Sequence, residues 1–130
     1  MKTAYISSFV YCKDTPTEQD VEDIKLLPFL KVKRLPISIQ IKAICSIFGE
    51  EIFTGSIVEV KFKAPDGEVL VQYDWHLDEK MLKSSDGRVP DALVLNLTLA
   101  SEIERAGIYT TEIFIDGTKL GEYKFHIMEM

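Results

Sequence analysis

The stretch that decides the fold runs from residue 58 to residue 77 and reads VEVKFKAPDGEVLVQYDWHL. Its first six residues alternate apolar and charged side chains, which places Val58, Val60 and Phe62 on one face. A period of two is what a half-buried strand requires. After Asp66-Gly67, a pair typical of tight turns, the alternation resumes and continues to Leu77. The stretch therefore predicts a β-hairpin.

The same alternation recurs along the rest of the chain. It predicts a second hairpin over residues 109–127 and further strands at residues 5–12, 30–32, 37–48 and 93–99. In the last of these, Val94 points away from the stripe of leucines on the other face. A strand that is apolar on both faces is typical of the buried middle of a sheet. We therefore expect this strand to be central and covered on both sides.

Seven to eight short strands with turn signals between them predict an all-β fold. Two half-apolar sheets must bury their faces against each other, so we expect an immunoglobulin-like antiparallel β-sandwich. A small closed barrel is the alternative that the same pattern allows. One short helix is expected near residues 17–27, and residues 78–91 are expected to form a long loop. A length of 130 residues predicts a single domain over 1–130.

Charge and composition exclude several classes of function. The net charge is −6, and no cluster of lysine and arginine is dense enough for a phosphate-binding surface, so we expect no nucleic-acid partner. No apolar run is long enough to span a bilayer, and no signal peptide is evident. We therefore expect a cytoplasmic protein without membrane contact. Cys12 and Cys45 form no CxxC motif, which predicts two buried thiols.

Three short elements resemble a family of small uncharacterised bacterial and phage proteins, each a single β-sandwich domain. They are Cys12-Lys13-Asp14 at the end of the first strand, Leu35-Pro36 before the next long strand, and Gly107-Ile108-Tyr109 with Asp116-Gly117 in the closing hairpin. The resemblance covers nearly the whole chain. It implies the sandwich fold and a bacterial or phage origin, and it brings no catalytic residues.

One stripe of polar residues has side chains of the kinds that metal sites and acid–base pairs use. Alternation places Asp74, His76 and Asp78 on one face of their strand, and two carboxylates with an imidazole could bind a divalent metal or act as an acid–base pair. The alternative is a solvent-facing polar stripe, because side chains at every second position lie about 7 Å apart. The sequence contains no nucleophile elbow and no phosphate loop. We expect no catalytic residues, no metal and no cofactor.

Apolar residues outside the predicted core stripes indicate a binding surface instead. Ile44, Ile47 and Val94 are predicted to lie opposite the core stripes of their strands, where they need cover. We therefore predict a non-enzymatic protein-binding or assembly module of phage or mobile-element origin, which acts through a sheet face or through the loop at residues 78–91. Its partner is another protein or a second copy of the chain, and a homodimer through that face would supply the cover. A small enzyme that uses the Asp74, His76 and Asp78 stripe is the first alternative. An acidic inhibitor of a host defence protein is the second.

Overall fold

The computed structural model describes residues 4–12, 29–49, 56–77 and 92–130. These residues form eight strands: β1 (Ala4–Cys12), β2 (Phe29–Val32), β3 (Ile37–Gly49), β4 (Ile57–Lys63), β5 (Val69–His76), β6 (Ala92–Ile103), β7 (Gly107–Ile115) and β8 (Thr118–Glu129). Each strand predicted from alternation is present. The predicted helix at 17–27 and the predicted loop at 78–91 lie outside the described residues. No helix among the described residues is long and apolar enough to cross a bilayer.

The strands form two sheets packed face to face. One has the order β1-β3-β6, and the other has the order β2-β8-β7-β4-β5. This arrangement is immunoglobulin-like, because β4, β7 and β8 take the places of strands C, F and G while β1, β3 and β6 take those of A, B and E. All pairs are antiparallel except β2 with β8, which is parallel. The all-β sandwich predicted from the sequence is confirmed.

Two tight turns fix the register of the two hairpins. In the β4–β5 hairpin the amide of Gly67 donates to the carbonyl of Ala64 over 2.9 Å, and Gly67 has a φ of 92°. In the β7–β8 hairpin both central residues, Asp116 and Gly117, have positive φ, the conformation of a two-residue type I′ turn. Both Asp-Gly pairs therefore act as the sequence predicts.

The core lies between the two sheets and follows the predicted alternation. Val58, Val60 and Phe62 of β4 are fully buried against the facing side chains of β3 and β6. Cys12 and Cys45 are also buried, and neither forms a disulfide, as predicted. Burial raises the pKa of the Cys45 thiol to about 12. The two thiols therefore contribute to packing as small apolar groups.

Three tyrosine hydroxyls hold the margins of the sandwich. Tyr109 Oη donates to the carbonyl of Arg105 over 2.6 Å, which is the tyrosine corner that immunoglobulin domains place between strands E and F. Tyr73 Oη donates to the carbonyl of Thr98 over 2.6 Å and ties β5 to β6 across the sandwich. Tyr11 Oη also forms hydrogen bonds across the sandwich, which tie β1 to Thr111 of β7 and Tyr123 of β8.

The hydrogen bonds of Tyr11 also satisfy a buried threonine. Tyr11 Oη lies 2.8 Å from the carbonyl of Tyr123 and 2.9 Å from Thr111 Oγ1. A phenol has one proton and a carbonyl only accepts, so the Thr111 hydroxyl donates its own proton to Tyr11. Burial raises the pKa of Tyr11 from 10.0 to about 12, so the phenol keeps its own proton well above neutral pH.

We predict that Tyr11→Phe destabilises the protein by about 1–3 kcal/mol, because the fully buried Thr111 hydroxyl loses its partner. The control is Tyr123→Phe, since the Tyr123 hydroxyl makes no hydrogen bond with the residues that the structure describes. We expect a change within about 0.5 kcal/mol for this control. Urea unfolding measures both, and equal losses in the two variants would contradict the assignment.

One prediction about β6 is wrong. Val94 is 58% exposed, so β6 is covered on one side only. Among the described strands it lies at the edge of its sheet, and β3 occupies the centre. The apolar side chain that suggested a central strand therefore lies on the outer surface.

Candidate interaction surface

Two neighbouring rows of described residues on the outer face of the three-stranded sheet carry no charged side chain. Cross-strand register places Val10, Ile44 and Asn96 in one row and Ser8, Ser46 and Val94 in the next. Val10 and Ile44 are half-buried by their neighbours, whereas Val94 and Asn96 are exposed. These six residues are called the uncharged face below. Tyr5, which is also exposed, extends this surface along β1.

The two sheets differ sharply in the charge of their outer faces. On the three-stranded sheet, the charged residues of β3 and β6 are Lys42, in the row next to Ile44 and Asn96, and Glu102, towards the far end. The outer face of the five-stranded sheet carries charges throughout its middle, and they are Glu59, Lys61, Lys63, Asp74, Glu112, Lys119, Glu122 and Lys124. Depletion of charge in a patch of exposed apolar side chains is the compositional mark of an interface core.

The structure places two of the three predicted interface residues on this face. Ile44 and Val94 point outwards, as the sequence predicts. Ile47 does not, because its side chain is fully buried in the core with Ala43 and Cys45. β3 is one unbroken strand, so the phase set by Ile41 continues inwards at every second residue through Ile47. The predicted outward position of Ile47 is wrong.

The polar stripe on β5 is solvent-facing in its described part. Asp74 and His76 are exposed on the outer face, opposite Glu59 and Ile57 of β4. Asp78 lies outside the described residues. In the ranges that the structure describes, no three histidine, cysteine or carboxylate side chains are grouped closely enough to hold a metal. A metal or acid–base role for Asp74, His76 and Asp78 stays a prediction.

A buried carboxylate at the middle of the five-stranded sheet was not predicted. Glu112 lies on the outer face of β7 yet is only 7% exposed, because two lysines cover it. Lys119 Nζ donates to Oε2 over 2.7 Å. Lys63 Nζ lies 2.6 Å from Oε1 in an ion pair that lacks the angle of a regular hydrogen bond. The hydrogen bond from Lys119, followed by the contact with Lys63, lowers the pKa of Glu112.

We predict that Glu112→Gln destabilises the protein by about 1–3 kcal/mol at neutral pH. Because the pKa of Glu112 is lowered on folding, its contribution is present above the unfolded pKa and is lost as the pH falls through the folded pKa. The difference in unfolding free energy between wild type and Glu112→Gln should therefore shrink on acidification below pH 4.5. Urea unfolding at a series of pH values tests this, and a pH-independent difference would be inconsistent with it.

A small pocket lies at one end of the sandwich, between the β4–β5 turn and the β6–β7 corner. Asp66, Glu68, Glu102 and Glu104 line it together with Arg105. Arg105 reaches Asp66 across the opening, with 3.5 Å between the guanidinium and the carboxylate. This ion pair joins the β4–β5 turn to the β6–β7 corner, and the acidic side chains of the pocket are exposed to solvent.

Comparison with known proteins supports the fold. No family model matches the chain, and no curated protein matches it. Among solved structures, the chain is similar to the crystal structure of the C-terminal domain of wzt, with a TM-score of 0.53 and 16% sequence identity. The match covers 100% of this chain and 78% of that chain. At this identity the likeness shows the β-sandwich fold, and the expected membership in a bacterial and phage family stays a prediction.

Proposed function

We propose that the protein is a non-enzymatic binding and assembly module that pairs with a second copy of itself through the uncharged face. The observation that carries this proposal is Val94, which is 58% exposed beside Ile44 and Val10 on two rows of described residues that carry no charged side chain. Burial of such a surface removes apolar area from water and leaves no charge without solvent. A second copy presents the same surface, so a two-fold pair satisfies both partners.

The dimensions of the sheet set the strength of this pairing. Three strands give a width of about 14 Å, and the length of β3 gives about 43 Å, so the whole outer face of the sheet, including Lys42 and the end at Glu102, offers at most roughly 600 Å² per partner. This is below the roughly 800 Å² per partner of a standard interface, and we expect a dissociation constant in the micromolar range. Each copy carries a net charge of −6, so added salt should strengthen the pairing by screening repulsion.

Sedimentation velocity of the full chain tests the proposal. Over a concentration series that brackets the micromolar range, the weight-average mass should rise from the 14.8 kDa of one chain towards twice that value. The rise should be steeper at higher salt. A mass of 14.8 kDa across the whole series would contradict self-association.

A further inference from the structure

A second surface with a different chemistry lies on the opposite sheet, where β2 and β7 flank β8. The parallel pairing of β2 places Phe29 beside His126, and the antiparallel pairing of β7 places Ile108 on the other side of the same residue. Phe29 and Ile108 are each 43% exposed. Met128 and Lys31 form the next row, and Lys124 lies on the row before. The edge patch is defined by these six residues: Phe29, Lys31, Ile108, Lys124, His126 and Met128.

The edge patch is basic within an acidic protein. Lys31 Nζ lies 5.7 Å from the centre of the Phe29 ring, and neither Lys31 nor Lys124 forms an ion pair with the described residues. Within the described strands, no carboxylate shares these three rows. The row beyond Lys124, away from His126, holds Glu112 and Glu122, and Lys119 donates hydrogen bonds to both carboxylates. His126 therefore lies between two exposed apolar side chains, and the row on either side of it carries a lysine.

We propose that the edge patch binds an acidic peptide segment that carries apolar side chains. Phe29 and Ile108 offer an apolar surface for such side chains, and contact with them removes apolar area from water. Lys31 and Lys124 at its margin attract carboxylates and fix their position. A nucleic acid is the less favourable occupant, because two lysines neutralise few phosphates and the whole chain carries a charge of −6.

This inference is independent of the proposed self-association, because the two surfaces lie on opposite sheets. Their dependence on salt also differs in sign. Screening weakens the attraction between lysines and a peptide carboxylate, whereas it relieves the repulsion between two acidic copies. A failure of one proposal therefore leaves the other intact.

The test uses fluorescence anisotropy of the full chain with a labelled synthetic peptide in which Glu alternates with Leu. Lys31→Gln/Lys124→Gln should weaken binding by about fivefold or more. The control is Ser38→Glu/Gln40→Glu, which makes the same change of −2 in charge at exposed positions of the other sheet. We expect the control to bind as the wild type does. Ile108→Ala should also weaken binding, because it removes the apolar contact.

Three results with the peptides would overturn the inference, and so would one with an oligonucleotide. They are no binding of the peptide, equal binding by the lysine variant and its control, and tighter binding of a peptide in which Lys replaces Glu. Preferential binding of a single-stranded oligonucleotide over the acidic peptide would overturn it as well, since it would assign the patch to a different class of partner. Circular dichroism confirms that each variant is folded.

Discussion

Val94→Arg is expected to abolish self-association if two copies pair through the uncharged face. Val94 lies on the uncharged face, where a two-fold pair would bring an arginine from each copy into a surface without acidic partners. Like charges juxtaposed in an interface cost several kcal/mol, so the dissociation constant should rise by about a hundredfold or more. Sedimentation velocity at matched concentrations measures the change.

The control for this variant is Val69→Arg. Val69 is 41% exposed, similar in size and chemistry to Val94, and it lies on the other sheet at the start of β5. This substitution adds the same charge without touching the uncharged face, so the dimer should persist. Both valines are exposed, so in dilute solution, where the wild type is also monomeric, we expect both variants to unfold at the urea concentration of the wild type. The added positive charge lowers the net negative charge of each copy, so loss of the dimer in both variants would show that the association does not depend on the uncharged face.

Gly107→Ala is expected to give the largest loss of stability, about 2–4 kcal/mol. Gly107 has a φ of 145°, a conformation that is nearly restricted to glycine. A Cβ atom there would lie 2.8 Å from Cγ of Pro65, which is too close for an ordinary contact. The added methyl group must therefore displace the β4–β5 turn or the start of β7, two residues before the tyrosine corner at Tyr109. Urea unfolding measures the loss.

Two further variants separate backbone strain from the contact with Pro65. Gly117 also has a positive φ, of 84°, but no heavy atom other than its chain neighbours lies within 4 Å of an added Cβ. Gly117→Ala should therefore lower the free energy of unfolding by only about 1–2 kcal/mol. Pro65→Ala combined with Gly107→Ala should recover part of the loss, because it removes the atom that the new methyl group meets. Equal losses for the two glycine variants, with no recovery in the double variant, would contradict the contact.

The fold could be predicted from the sequence because its signals are local. The alternation in 58–63 and the Asp-Gly pairs act within a few residues, and the structure reproduces them. The position of Ile47 was mispredicted for a physical reason. Apolar residues fall on both faces of β3 after Ile41, so hydrophobicity alone does not set the phase there, and a bend would have reversed it. The unbroken strand keeps Ile47 in the core.

The surfaces could not be predicted, because they depend on residues far apart in the chain. Phe29 meets His126 only through the parallel pairing of β2 with β8, and no local pattern specifies that pair. Glu112 is buried because Lys63 and Lys119 reach it from neighbouring strands. Ile44 and Val94 were predicted to face outwards, but Val10 joins them only through the pairing of β1 with β3. Sheet order therefore decides which side chains form a surface.

The most direct test of the central claim is a dilution series of the full chain followed by methyl NMR with isoleucine and valine labels. If two copies pair through the uncharged face, the signals of Ile44, Val94 and Val10 should shift with concentration. The exposed methyl groups of Ile57 and Ile108 on the other sheet should not shift. Concentration-dependent shifts confined to Ile57 and Ile108, or no shift at any of these residues, would contradict the claim.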